Sequence, residues 1–144
     1  MLTNTRVGQL TAFQKARRRV ADVLVSRGCD EVWTATFLAP GDLERTGLEG
    51  DPVTLANPMV AEESVLRTSL LPGLLRVLGH NANHRSPAMR IFETGHTFTR
   101  PRVNQIVPYE REFLGVALAA DDDDARAAVA VLDALAEALR VKPD

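Results

Sequence analysis

The chain contains one cysteine, Cys29. That excludes an intrachain disulfide and any cysteine-based zinc site, and a lone thiol suits a reducing compartment. There is no apolar run approaching the roughly 18 residues that a membrane span requires. The N-terminus also lacks the basic-then-apolar order of a secretory signal. Together these absences predict a cytoplasmic chain with no membrane partner. Excess charge of one sign is missing too: 17 Lys and Arg stand against 19 Asp and Glu, for a net charge of −2. The basic footprint of a dedicated nucleic-acid binder is therefore absent, although local patches can still touch phosphate. No internal repeat is visible, and residues 121–124, all aspartate, are the only biased tract. What remains is an ordinary balance over 144 residues, 45% hydrophobic and 25% charged. Such a chain can bury an apolar core as one domain without staples.

Residues 1–10 are polar and small and read as irregular, with the domain occupying 11–144. Thr11 and Gln14 form a Thr-x-x-Gln capping box, in which hydroxyl and amide satisfy each other's freed backbone N–H groups. Phe13, Ala16, Val20, Val23 and Leu24 follow at helical spacing, which predicts an amphipathic helix over 12–27. Gly28 can take the left-handed conformation that ends it. Residues 31–37, rich in Val, Trp, Thr and Phe, read as a strand, and a short helical turn follows at 42–46. Asn57-Pro58 stops a short strand at 53–55, and 64–69 read as extended. Leu71, Leu74, Leu75 and Leu78 mark a helix over 70–83. It tolerates Pro72 in its first turn, where the missing N–H matters least. Strands are expected at 88–92 and 97–99, with Gly95 as a turn or bulge between them, then a loop over 100–110 and a buried strand over 112–119. The aspartates at 121–124 suit the start of a last helix, whose apolar stripe is Val129, Leu132, Leu135, Ala136 and Leu139. Because this order is no regular strand–helix alternation, the fold class is α+β rather than doubly wound.

Three segments carry a family resemblance. The first holds Leu10-Thr11, Gln14, Arg18-Arg19, Gly28, Glu31-Val32, Thr34 and Phe37. The second is Asn57-Pro58 followed by Val65-Leu66-Arg67-Thr68-Ser69-Leu70-Leu71-Pro72-Gly73-Leu74-Leu75. The third is Arg90-Ile91-Phe92-Glu93-Thr94-Gly95-His96-Thr97-Phe98. In this order and spacing the chain resembles the beta chain of bacterial phenylalanyl-tRNA synthetase, strongly over about residues 8–119. The resemblance implies an antiparallel sheet flanked by helices, a truncated class II aminoacyl-tRNA synthetase-like core. In that family two alpha and two beta chains assemble; the alpha chain binds ATP, magnesium and phenylalanine, and the beta module is a degenerate relative packed against it. Editing and tRNA-anchoring modules belong to parts of the longer beta chain that this sequence lacks.

The resemblance also implies degeneracy. Active class II modules place an α-phosphate-binding arginine just after the strand that ends near Phe98. Here Thr99 occupies that position, and Pro101 stands where an acidic residue would be. Arg100 is one place off, which on a strand turns it to the other face, and threonine cannot pair bidentately with phosphate as a guanidinium does. The expectation is a non-catalytic module of phenylalanine–tRNA ligase with no catalytic, cofactor-binding or metal-binding residue. ATP and magnesium would belong to the alpha partner, and any tRNA contact would be weak or indirect. Phe13, Ala16, Val20, Val23 and Leu24 are the expected subunit interface, toward an alpha chain or a second copy. Arg67, Thr68, Pro72, Gly73, Glu93, Gly95 and Phe98 are expected to be structural, with Arg67 and Glu93 orienting sheet and loop.

The alternatives are a free-standing homodimeric scaffold or paralogue with no role in aminoacylation, and a small active ligase, which Thr99 and Pro101 disfavour. Sharper readings of single features have blander rivals. His80 and His84 have a metal-compatible spacing but no third ligand at a telling distance. Residues 121–124 lack the central glycine of a calcium loop. Arg17–Arg19 can touch RNA or simply form a solvated face. Cys29 follows a helix end, where the dipole disfavours a thiolate.

Overall fold

The computed structural model describes residues 8–84, 88–101 and 104–141. Residues 1–7 of the expected irregular segment, 102–103 of the expected loop and 142–144 of the tail lie outside the described residues. The stretch read from sequence as one domain groups into two compact units, whose described parts are 8–28 with 124–141, and 29–123.

The first unit pairs helix α1, Ala12–Ser26, with helix α4, Ala125–Leu139. The α1 capping box forms as read: Gln14 N donates to Thr11 Oγ1 over 3.2 Å and Thr11 N to Gln14 Oε1 over 2.9 Å. Arg27 caps the C-terminus, and Gly28 follows at φ 77°, a left-handed backbone that a Cβ disfavours. At the start of α4, Asp124 accepts from the N–H groups of Arg126 and Ala127 at 2.8 and 3.0 Å. Arg19 Nη1 donates to Ala138 O over 3.0 Å, tying the two helices together. The buried residues of α4 are Val131, Leu135 and Ala136, whereas Val129 and Leu132 of the expected stripe are exposed. The apolar face is thus rotated: the abundant alanines of α4 blur the 3.6-residue pattern on which the stripe was drawn.

The second unit is built on a long hairpin, β4 (Arg90–Thr99) and β5 (Tyr109–Leu118), paired without interruption from Arg90↔Leu118 to Thr99↔Tyr109. A short strand β1, Asp30–Glu31, lies parallel to β4 on its other side, opposite Ile91 and Phe92. The sheet is therefore mixed, which corrects the expectation of an antiparallel one. A second pair, β2 (Phe37–Leu38) and β3 (Val65–Leu66), is antiparallel, with a single bridge from Thr54 to Val65 standing where a strand was expected over 53–55. Helix α2, Asp42–Arg45, and a 3-10 turn, Ala61–Glu63, fill the connection, and helix α3 spans Leu71–Asn83.

Three further expectations change. The strand over 31–37 divides, because its two ends pair with different sheets: Val32 N donates to Phe92 O at 2.8 Å, and Phe37 pairs with Leu66. Gly95 is no turn or bulge but a paired position inside β4, opposite Phe113. Strand β5 starts at Tyr109 and is exposed or half-buried along its length, since it is the edge of the described sheet. The main core joins Leu70, Leu74 and Ile91, flanked by Val32, Val77, Leu78, Met89 and Ala117. A smaller core joins Leu38, Leu43 and Val65 with Leu48 against it. On α3 it is Pro72, Gly73 and Leu74 that are buried, while Leu71 and Leu75 reach solvent.

Candidate functional site

Alternation along β4 puts Ile91, Glu93, Gly95 and Thr97 on one face, and all four are buried. On this face Glu93 meets Arg67, which follows β3. Arg67 is itself fixed at the main chain, its N–H donating to Thr36 O over 3.0 Å and its carbonyl accepting from Phe98 N over 2.8 Å. Its guanidinium donates through Nη1 to Glu93 Oε1 at 2.8 Å and through Nε to His96 O at 2.8 Å. Nη1 also reaches Thr34 Oγ1 at 3.0 Å, and the Thr34 hydroxyl donates on to Glu93 Oε2 at 2.6 Å. The side chains of Arg67 and Glu93 are 6% and 4% exposed. Among the described residues no buried side-chain nitrogen or oxygen lacks a partner. A charge pair this deep persists only when further hydrogen bonds support it, and here Nε, Nη1 and both Glu93 oxygens are bonded.

The knot has room only because two neighbours lack a Cβ. A methyl at Gly95 would lie 2.3 Å from Arg67 Nη2 and 2.9 Å from Glu93 Oε1. One at Gly73, in the first turn of α3, would lie 2.2 Å from Thr34 Oγ1. The Pro-Gly pair of α3 and the Glu-x-Gly of β4 thus serve one close approach of helix, strand and the 32–36 segment. Of the residues expected to be structural, Arg67, Gly73, Glu93 and Gly95 are brought together here. Phe98 joins through its N–H, Pro72 is buried beside Gly73 at the helix start, and Thr68 lies outside the knot. Thr34 was missed as a participant, although it is among the residues that carry the resemblance; beside Thr36 in the 31–37 run, nothing local marks which hydroxyl meets the pair.

A cleft of about 220 Å³ opens beside the knot, lined by Thr68, Ser69, Leu70, Leu74, Thr97 and Phe113 among others. Among the described residues no ionisable side chain contributes to its wall. Thr99 ends β4 and lines a second, larger cleft of about 490 Å³ with Glu49, Asp51 and Arg100. There Arg100 Nε pairs with Asp51 Oδ2 at 2.7 Å, both side chains being well exposed. Such a pair is weak, and it lies on the wall of this second cleft rather than the first.

Two other aspartates act as clamps. Asp42, buried at the start of α2, accepts from Ala39 N at 3.0 Å and pairs with both Arg45 and Arg76. Asp123 accepts from Arg90 Nε at 2.9 Å and from Ala120 N at 2.8 Å. The hydrogen bond from Arg90 holds the Asp123 carboxyl below its ordinary pKa, against the opposing effect of burial and with help from Ala120 N–H and the Arg90 charge. Asp122 also pairs with Arg90, and Asp124 caps α4. Most of the aspartate tract is thus already engaged. His80 and His84 stack with ring centroids 4.2 Å apart, and His84 Nδ1 lies 2.7 Å from His80 O. Stacked rings do not converge their nitrogens on a shared ion, and among the described residues no group of three His, Cys, Asp or Glu could hold one. Cys29 is buried. On α1, Phe13 is 64% exposed, Ala16, Val20 and Val23 are half-buried, and Leu24 is fully buried within the chain. Leu24 therefore drops out of the surface expected to meet a partner.

Comparison with known proteins adds the following. The family described as phenylalanyl tRNA synthetase beta chain CLM domain matches residues 1–144. A phenylalanine–tRNA ligase beta subunit of Geobacter sulfurreducens is 41% identical over 101 residues, covering 67% of this chain and 13% of that subunit. The corresponding subunit of Halalkalibacterium halodurans is 36% identical over 117 residues, covering 77% of this chain and 14% of its own. The chain thus spans a small fraction of the length of these relatives. Among solved structures, a pyrrolysyl tRNA synthetase of Desulfitobacterium hafniense superposes with a TM-score of 0.72, covering 91% of this chain and 48% of that one at 18% identity. At that identity the likeness concerns the fold alone. It agrees with the α+β, class II synthetase-like architecture that the resemblance implied.

Proposed function

The chain belongs to the phenylalanyl tRNA synthetase beta chain CLM domain family, and from that premise we propose that it is a non-catalytic core module of the phenylalanine–tRNA ligase beta subunit. It acts in the cytoplasm by packing against the alpha subunit, which supplies ATP and magnesium chemistry. Its own contact with tRNA is weak or indirect. The observation that carries this reading is that, among the described residues, no ionisable side chain lines the cleft of about 220 Å³, and the larger cleft of about 490 Å³ offers a single cation, Arg100, beside Glu49 and Asp51. Arg67 and Glu93 are bonded to each other and to Thr34, and neither is among the described residues lining the two clefts. Amino-acid activation needs fixed positive charge for the phosphates, supplied by guanidinium groups or by metal ions. Thr99 carries no charge, and Arg100 stands in a cleft with two carboxylates, Glu49 and Asp51, that oppose a phosphate there.

The test is pyrophosphate exchange by the purified chain with phenylalanine, ATP and magnesium. No exchange above background is expected. Robust exchange, lost on Arg67→Ala or Arg100→Ala, would overturn the non-catalytic assignment.

A further inference from the structure

The cleft of about 220 Å³ holds one feature that neither the fold nor the knot explains. Thr97 is 4% exposed and lines the cleft, yet its hydroxyl makes no hydrogen bond to any described residue. Every fully enclosed side-chain oxygen among the described residues has a partner, so the Thr97 oxygen keeps some exposure, and the cleft is where Thr97 lines a wall. The Thr68 hydroxyl on the same wall is equally unpartnered, whereas Ser69 Oγ accepts from Leu71 N at 3.2 Å. The cleft is lined as well by Leu70, Leu74 and Phe113, which is 44% exposed. The Arg111 guanidinium lies over the Phe113 ring, 5.2 Å from its centroid, and does not line the cleft.

The geometry points to a binding site for a small, uncharged aromatic molecule carrying one hydrogen-bonding group. Size sets the first bound. Sites for drug-sized ligands run to about 300–1,000 Å³, whereas an apolar cavity of about 150 Å³ holds a benzene ring; 220 Å³ therefore suits one ring with a substituent. Charge sets the second. No described wall residue is ionisable, so an ion entering the cleft finds no counter-charge on that wall. The third bound is chemical: a flat ring meets Phe113 and the leucines, and a carbonyl or amide reaches the Thr97 hydroxyl, which can donate or accept. The site does not depend on the proposed role in the ligase, since it requires neither catalysis nor a partner.

Benzamide is the probe, with benzoate as its charged counterpart, and the chain is followed by amide-resolved NMR. Benzamide should shift the amides of Leu70, Thr97 and Gly115 saturably, and benzoate should bind at least about tenfold more weakly. Thr97→Val keeps the shape and removes the hydroxyl, and should weaken benzamide about three- to tenfold. Phe113→Leu, at a half-exposed position, should weaken it as well and serves if Thr97→Val fails to fold. Three results would overturn the proposal: no shifts at these amides up to the solubility of benzamide, equal binding of benzoate, or undiminished binding by a folded variant. A fourth would do so too. If adding the alpha subunit shifts the same amides and displaces benzamide, the cleft holds a polypeptide side chain rather than a small molecule.

Discussion

Glu93 is the residue on which the buried knot turns, because both of its oxygens are used: Oε1 by Arg67 and Oε2 by Thr34. Glu93→Gln keeps the shape but leaves the Arg67 cation without its counter-charge at a position where the side chain is only 6% exposed. Removing one partner of such a pair costs about 3–5 kcal/mol, a large share of the roughly 5–15 kcal/mol that holds a domain together. Urea unfolding at neutral pH should show a loss of that size, and a loss under about 1 kcal/mol would mean that the pair is not the keystone inferred here. Gly95→Ala tests the same place by volume. The clashing atom is the end of an arginine side chain, normally cheap to move, but this one is held by bonds to Glu93, Thr34 and His96. The cost should therefore reach about 1–3 kcal/mol, as for overpacking in a core. Part of this site was legible in the sequence. Arg67 and Glu93 were expected to orient sheet and loop, and Pro72 was placed in the first turn of its helix, where it lies. The meaning of the glycines was not legible: Gly95 reads as a bulge in one dimension, and only the arginine crossing the strand from 28 positions upstream explains it as a close approach. Thr34 was illegible for a related reason, since its partner arrives from another strand.

At the scale of elements, the signals that are local in sequence survive and those that depend on pairing do not. The α1 cap, its stop at Arg27 and Gly28, the first-turn Pro72 of α3 and the short α2 rest on contacts within a few residues. They are readable because the capping groups and the groups they satisfy lie in one stretch. Residues 31–37 have uniform strand composition, yet they feed two sheets, and composition does not report where a strand changes partner. The aspartate tract shows the same limit: as a sequence it is a helix start, while in the fold Asp123 braces Arg90 at the beginning of β4. That brace has a pH signature. The Asp123 carboxyl is held below its ordinary value, chiefly by the hydrogen bond from Arg90. The stability it contributes is therefore present above the ordinary carboxylate pKa of about 3.9, and it is lost as the pH falls through the depressed folded value. Asp123→Asn should lower the stability at pH 7 and flatten the acid limb, so that variant and wild type converge toward pH 2. Urea midpoints at several pH values test this, and curves that stay parallel down to pH 2 would remove Asp123 from the account.

For the molecule as a whole, the open question is what covers its outward apolar surface. In the first unit Phe13 and Val25 of α1 are 64% and 60% exposed, and Val129 and Leu132 of α4 are 56% exposed each. In the second unit β5 is an edge strand bearing Phe113 and Leu114 at 44% and 37% exposure. Each large apolar side chain left in water forgoes about 1.5–3 kcal/mol of burial, and an unpaired strand edge invites association. These surfaces support a module that works in company, as the proposed beta-subunit role requires. Phe13 offers the cleaner test within the expected interface. Val20 is half-buried, so a charge there mixes folding with association, whereas Phe13→Asp changes a side chain that already faces solvent. Its effect is to put a carboxylate into an apolar seam. Sedimentation of wild type, Phe13→Asp and Arg18→Asp, each alone and with a phenylalanine–tRNA ligase alpha subunit, distinguishes the outcomes. Wild type should bind the alpha subunit or pair with itself, Phe13→Asp should weaken that association about tenfold or more, and Arg18→Asp should change it much less. Equal losses for the two variants would make the contact one of general charge, and a wild-type chain that stays monomeric and ignores the alpha subunit would remove α1 as an interface.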